Sequence, residues 1–84
     1  MRFYNKLLSR VNDIIDNQLL DNHPPETKAT MERLVAMGYS NVESKKLICK
    51  CLMIEMIDAI KNNKILNEER FIMNLLKLPE EPDM

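Results

Sequence analysis

Apolar residues recur along this chain at intervals of three and four positions, which is the spacing of one face of an α-helix. No stretch shows the every-second-residue alternation of a half-buried strand. The first apolar stripe predicts a surface helix over residues 3–20. A second helix is predicted over residues 25–37, because Pro25 suits the first helical turn and Gly38 suits the position just past the last one.

A third helix is predicted over residues 41–61, and it is apolar almost all the way round. Ser40 and Glu43 have the spacing of a capping box, which marks the start of this helix. A helix that is apolar all round is buried on more than one side, so we expect it to lie at the centre of the fold. At about 100° per residue, its main buried stripe comprises Ile48, Cys49, Leu52, Met53, Met56, Ala59 and Ile60.

A fourth helix is predicted over residues 68–78, with Asn67 as its N-cap and Pro79 as its end. The expected fold class is therefore all-α, a compact bundle of four helices with the third helix central. Residues 1–79 are expected to form a single domain, and residues 80–84 an acidic tail that is frayed.

A second apolar stripe on the third helix consists of Leu47, Cys51 and Ile54. It runs through the side of the helix that is expected to face solvent because of its charged residues, which are Glu43, Lys46, Lys50, Glu55, Asp58 and Lys61. The other three helices need not cover this stripe. We therefore take it as a candidate interface and predict a small, non-enzymatic interaction protein that self-associates as a homodimer or binds another protein.

The tripeptide Met37-Gly38-Tyr39 resembles the loop that ends the first helix of a ubiquitin-associated domain. The resemblance covers about fifteen residues around this loop. It implies an alternative function, a peptide- or protein-binding module in which the loop residues contact the ligand. That family has a short second helix followed by a third, whereas here one helix is predicted to run unbroken to residue 61.

A broader resemblance is carried by Pro24-Pro25-Glu26-Thr27, Gly38-Tyr39-Ser40 and Leu78-Pro79. With these segments the chain resembles a family of short, uncharacterised bacterial proteins that are all-helical. The resemblance implies a stand-alone helical domain and no particular activity. Each of these residues also has a structural explanation as a helix cap, a turn or part of the core.

The charge balance argues against nucleic acid as a partner. Twelve Lys and Arg residues against thirteen Asp and Glu residues give a net charge of -1, without the basic excess of a phosphate-binding surface. The short turn at Gly38 nevertheless allows interpretation as a DNA-binding helix-turn-helix motif. In that motif, Asn41, Ser44 and Lys45 would face the major groove of DNA. Ser44 stands where that motif usually buries an apolar residue.

The expected location is cytoplasmic. Residues 1–20 mix charged residues into their apolar positions, so no signal peptide is predicted. The apolar run of residues 47–60 is shorter than the roughly 20 residues that cross a bilayer, and it contains charges, so no membrane association is expected.

Few residues of the chain have side chains suited to catalysis or metal binding. The single histidine, His23, lies in a Pro-rich turn without an evident nucleophile nearby. Glu55 and Asp58 are three residues apart, but without the Glu-x-x-His pattern of carboxylate-bundle metal sites they are interpreted as solvated or salt-bridged. Cys49 and Cys51 point in different directions on one helix and are interpreted as small buried apolar residues. We therefore predict no catalytic residues, no metal and no cofactor.

Overall fold

A computed structural model describes residues 2–81, and within that range all regular secondary structure is α-helical. The prediction of an all-α bundle of four helices is confirmed. Its helices are α1 (Arg2–Asp21), α2 (Pro25–Ala36), α3 (Asn41–Lys61) and α4 (Glu68–Lys77).

The start of α3 is fixed by the capping box that the sequence predicts. The Ser40 hydroxyl accepts a hydrogen bond from the Glu43 backbone N–H at 3.0 Å. The Glu43 carboxylate in turn accepts from the Ser40 N–H at 2.9 Å. That backbone hydrogen bond from Ser40 is the main cause that lowers the pKa of Glu43. Two of the unpaired donors at the helix end are satisfied in this way.

The end of α2 is also determined by neighbouring residues. Gly38 has φ +109°, a conformation that residues with a side chain rarely adopt. The Tyr39 N–H donates to the Leu34 carbonyl at 3.1 Å, and the Gly38 N–H donates to the Val35 carbonyl at 3.0 Å. These two bonds form a Schellman motif, which turns the chain sharply from α2 into α3.

The core surrounds α3, which packs against each of the other three helices. α2 also contacts every other helix, whereas α1 and α4 lie apart from each other. Every helix contributes to one continuous apolar cluster, whose fully or nearly buried members are Leu7, Val11, Ile15, Leu34, Ile48, Cys49, Cys51, Leu52, Met53, Phe71, Leu75 and Leu78. The central position predicted for α3 is confirmed.

Ile60 and Glu55, both in α3, differ in their burial from the sequence prediction. Ile60, expected in the buried stripe, is 56% exposed, because it lies in the last turn of α3 beyond most of the core. Glu55, expected on the solvent side, is only 1% exposed. It is buried because α4 brings Arg70 to it, with Nε 2.6 Å from one carboxylate oxygen and Nη2 2.9 Å from the other.

Arg70 also joins a wider ion network between α3 and α4. Its Nη2 lies 3.1 Å from Oδ2 of Asp58, which also contacts Lys64 at 3.1 Å. The hydrogen bond from Lys64 is the main cause that lowers the pKa of Asp58. Both Glu55 and Asp58 are therefore salt-bridged, as the sequence predicts. The Glu55–Arg70 ion pair fixes the position of α4 along α3.

Arg33 connects α2 to the other end of α4. Its guanidinium donates to the carbonyls of Leu75 and Leu78, at 2.9 and 2.7 Å. These carbonyls belong to the last turn of α4, where helical partners are missing and positive charge is favourable. Arg33 thus caps α4 from a neighbouring helix and fixes the direction in which the chain continues beyond Leu78.

The Glu55–Arg70 pair yields a stability prediction. Arg70→Met should lower the free energy of unfolding by about 3 kcal/mol, because it leaves a buried carboxylate without its bidentate partner. The double variant Glu55→Met/Arg70→Met should recover most of that loss, since no buried charge then remains. Urea unfolding followed by circular dichroism measures both. A double variant no more stable than the single one would contradict this assignment.

Candidate functional site

The predicted interface stripe is divided by the structure. Cys51 is 0% exposed and lies inside the core of a single chain, so its thiol is not at the surface. Leu47 is half-buried and packs against the core cluster, and Ile54 is also half-buried. Leu47 and Ile54 are thus the members of the stripe that reach solvent, and the interface itself stays a prediction.

A groove runs between α1 and the first half of α3. It encloses about 600 Å³. Most of its lining is apolar, and all of its charged lining residues are lysines of α3. This α1–α3 groove is lined by Tyr4, Leu8, Asn12, Val42, Lys45, Lys46, Cys49, Lys50 and Met53. The arrangement, an apolar floor with a positively charged wall, suits an amphipathic ligand that carries negative charge.

A second, shallower groove of about 350 Å³ lies on the other side of the same lysines. This Tyr39 groove is lined by Tyr39, Glu43, Lys46, Leu47 and Lys50. Lys46 and Lys50 line both grooves, so they form a ridge between two apolar depressions, which we call the lysine ridge. Because they are four residues apart on a helix, their side chains lie one above the other, about 6 Å apart along the axis.

Each lysine around the grooves has a carboxylate nearby. Lys45 forms an ion pair with Asp16 at 2.6 Å, and Lys50 forms one with Glu81 at 2.8 Å. The hydrogen bond with Glu81 raises the pKa of Lys50. Lys46 lies close enough to Glu43 to contribute to its lowered pKa. The lysine ridge therefore already holds a carboxylate, and the one on Lys50 comes from the distant C-terminal segment.

The Met37-Gly38-Tyr39 loop is only partly available to a ligand. Met37 is 53% exposed, and its sulfur lies 3.7 Å from the Arg33 guanidinium. Tyr39 is half-buried, packs against the core and also lines the Tyr39 groove. Downstream, α3 runs unbroken from Asn41 to Lys61, unlike the two short helices of a ubiquitin-associated domain. Tyr39 thus lies beside the lysine ridge, and ligand contact by the loop residues stays a prediction.

A helix-turn-helix arrangement finds little support in the surroundings of α3. Ser44 is 0% exposed, and its hydroxyl has no hydrogen-bond partner among residues 2–81. Asn41 is exposed and Lys45 is half-buried, but the exposed Glu43 carboxylate stands beside them in the first turn. A negative charge at that point would face the phosphates of bound DNA.

The groups with potential reactivity are dispersed. His23 is exposed in the turn before α2. Within residues 2–81 no three His, Cys, Asp or Glu side chains are grouped closely enough to hold a metal ion. Burial raises the pKa of Cys49, and it raises the pKa of Cys51 to about 12. Neither thiol has the lowered pKa of a reactive cysteine.

None of the helices among the described residues is long and apolar enough to cross a membrane. Comparisons of the chain with protein-family models, curated proteins and solved structures found no match. Any function proposed for the chain therefore depends on the geometry of its own residues.

The grooves of α3 hold one surface that sequence reasoning missed. The sequence places Lys46 and Lys50 on the solvent side, but it does not show that α1 and Tyr39 supply apolar walls on either side of them. The available signal was the helical spacing of the two lysines beside Leu47. The partner of Lys50, Glu81, has no signal in the local sequence because it lies 31 residues away.

The burial of the two cysteines predicts their reactivity. In the native protein both should react with a thiol reagent such as Ellman's reagent far more slowly than in urea, because each is at most 4% exposed and has a raised pKa. Cys49, at the floor of the α1–α3 groove, should react before Cys51. Mass spectrometry of the modified protein assigns the sites. If Cys51 reacts as fast natively as in urea, its position in the core is wrong.

Proposed function

We propose that this protein is a non-enzymatic interaction module that binds an acidic, amphipathic helix of a partner protein along the lysine ridge. The observation that carries the proposal is the placement of Lys46 and Lys50 between two apolar grooves. A helix laid along this ridge would place acidic residues against the lysines and apolar residues in the grooves. Recognition of an amphipathic helix by an apolar groove is a common mode of protein binding.

The spacing of the ridge restricts the partner. Two lysines one helical turn apart match two carboxylates one turn apart on a partner helix. Apolar residues at neighbouring positions of that helix would enter the α1–α3 groove beside Val42 and Tyr4, which are 64% and 46% exposed. Ion pairs at the edge of an interface mainly supply selectivity and a faster association, whereas apolar burial supplies most of the affinity.

Self-association is the second candidate, and it is favoured by a different part of α3. In a two-fold symmetric dimer the same patch contributes from both chains, so a dimer through the lysine ridge would bring like charges together. A dimer through the second half of α3 would not bring the lysine ridges of the two chains together. There Ile57 and Ile60 are 41% and 56% exposed, close along the helix to the half-buried Ile54.

A peptide-display selection tests the proposed partner. Selection against the wild-type protein should enrich peptides with helical apolar spacing and acidic residues one turn apart. In fluorescence anisotropy, Lys46→Glu/Lys50→Glu should weaken binding of an enriched peptide at least about tenfold, since attraction becomes repulsion at the ridge. Added salt should weaken binding to the wild type.

The matched control is Lys28→Glu/Lys61→Glu, which changes the net charge equally at exposed positions that line neither groove. It should leave the affinity nearly unchanged. A second variant, Val42→Asp, places a charge at an exposed position of the α1–α3 groove and should also weaken binding. Equal losses in the ridge and control variants, or enrichment of basic peptides only, would overturn the proposal.

Light scattering after size-exclusion chromatography tests the second candidate. A dimer at micromolar concentration that Ile57→Asp converts into a monomer, while Lys46→Glu does not, would support self-association through the second half of α3. Circular dichroism checks that the variant remains helical. A wild-type protein that is monomeric at this concentration would contradict self-association as a homodimer.

A further inference from the structure

We infer that the acidic C-terminal segment, Glu80 and Glu81, is an intramolecular competitor that occupies the lysine ridge until an acidic partner displaces it. This inference rests on the function proposed above, because it concerns regulation of the same surface. Its direct basis is the position of the Glu81 carboxylate, whose Oε2 lies 2.8 Å from Nζ of Lys50. A partner carboxylate that pairs with Lys50 would have to take this place.

The segment reaches Lys50 because the residues before it are held firmly. Leu78 is 2% exposed and belongs to the core, and its carbonyl accepts a hydrogen bond from Arg33 at 2.7 Å. The Glu80 N–H donates to the Lys77 carbonyl at 3.0 Å, which turns the chain just after α4. Glu81 is only three positions after the buried Leu78, so the carboxylate stays near the lysine ridge even when the ion pair opens.

The ion pair between Lys50 and Glu81 is weak enough for a partner to displace Glu81. The side chains of Lys50 and Glu81 are 52% and 85% exposed, so solvent and salt screen their attraction. Exposed ion pairs of this kind shift an equilibrium by no more than about fivefold. Such a contact does not close the surface permanently. It favours partners whose apolar residues also fill the grooves over ligands that offer only negative charge.

The competition between Glu81 and a partner carboxylate is expected at Lys50. Lys45 pairs with Asp16 of α1, and Lys46 lies near Glu43 of its own helix. Asp16 lies within α1, and Glu43 lies in the first turn of α3 and belongs to its capping box, so we expect both carboxylates to keep their positions when a ligand binds. Among the carboxylates of residues 2–81 near these lysines, Glu81 is the one outside the helices, so it is the one that we expect to move away.

The test compares Glu80→Gln/Glu81→Gln with the matched control Glu32→Gln/Glu69→Gln, both in the full chain. Glu32 and Glu69 are exposed and line neither groove, and the change in net charge is equal. At low salt the tail variant should bind a selected acidic peptide about two- to fivefold more tightly than the wild type. The control should bind it with unchanged affinity, and high salt should remove the difference.

A readout without any peptide accompanies this measurement. Because the hydrogen bond that Lys50 donates to the Glu81 carboxylate raises the pKa of Lys50, its loss should make the Lys50 amine more reactive toward an acylating reagent at a fixed pH, as measured by mass spectrometry. Faster acylation with tighter peptide binding supports the competitor. Peptide binding that is unchanged in the tail variant overturns it and leaves the proposed function intact. Absence of acidic-peptide binding in every variant, with faster Lys50 acylation, instead overturns the proposed function.

Discussion

The burial of α3 on several sides is the constraint on which the rest of the structure depends. Within residues 2–81, three other helices cover a helix that is apolar nearly all round. They enclose Ile48, Cys51 and Leu52 completely or almost so, but one side of the first half of α3 remains open. Lysines occupy this open side, with half-buried apolar residues next to them. The surface available for binding is therefore a consequence of how the core is closed.

Local sequence signals predicted the helices well because their ends are made by neighbouring residues. Ser40 with Glu43, the left-handed Gly38 and Asn67 each act through hydrogen bonds within a few residues. The side-chain environments were less predictable wherever a distant residue decides them. Glu55 is buried because Arg70 arrives from α4, and Cys51 is covered because α3 is enclosed more widely than one helical face requires.

The candidate site was predictable only in part for the same reason. Leu47 and Ile54 were identified from their spacing among charged residues, and Tyr39 from its loop. Their relation to one another depends on tertiary packing, since α1 supplies one wall of a groove and Tyr39 a wall of the other. The net charge of -1 gave no indication of a positive ridge, because a sum over the chain does not show where charges lie.

The carboxylates around the ridge determine what a partner can gain there. A ligand that only replaces Glu81 on Lys50 exchanges one ion pair for another, so the net free energy from that pair is small. A gain in affinity must then come from apolar side chains that enter the α1–α3 and Tyr39 grooves, where burial is worth about 25 cal/mol per Å² before the costs of association. Charge would select which helices approach the ridge, and apolar fit would decide which of them remain bound.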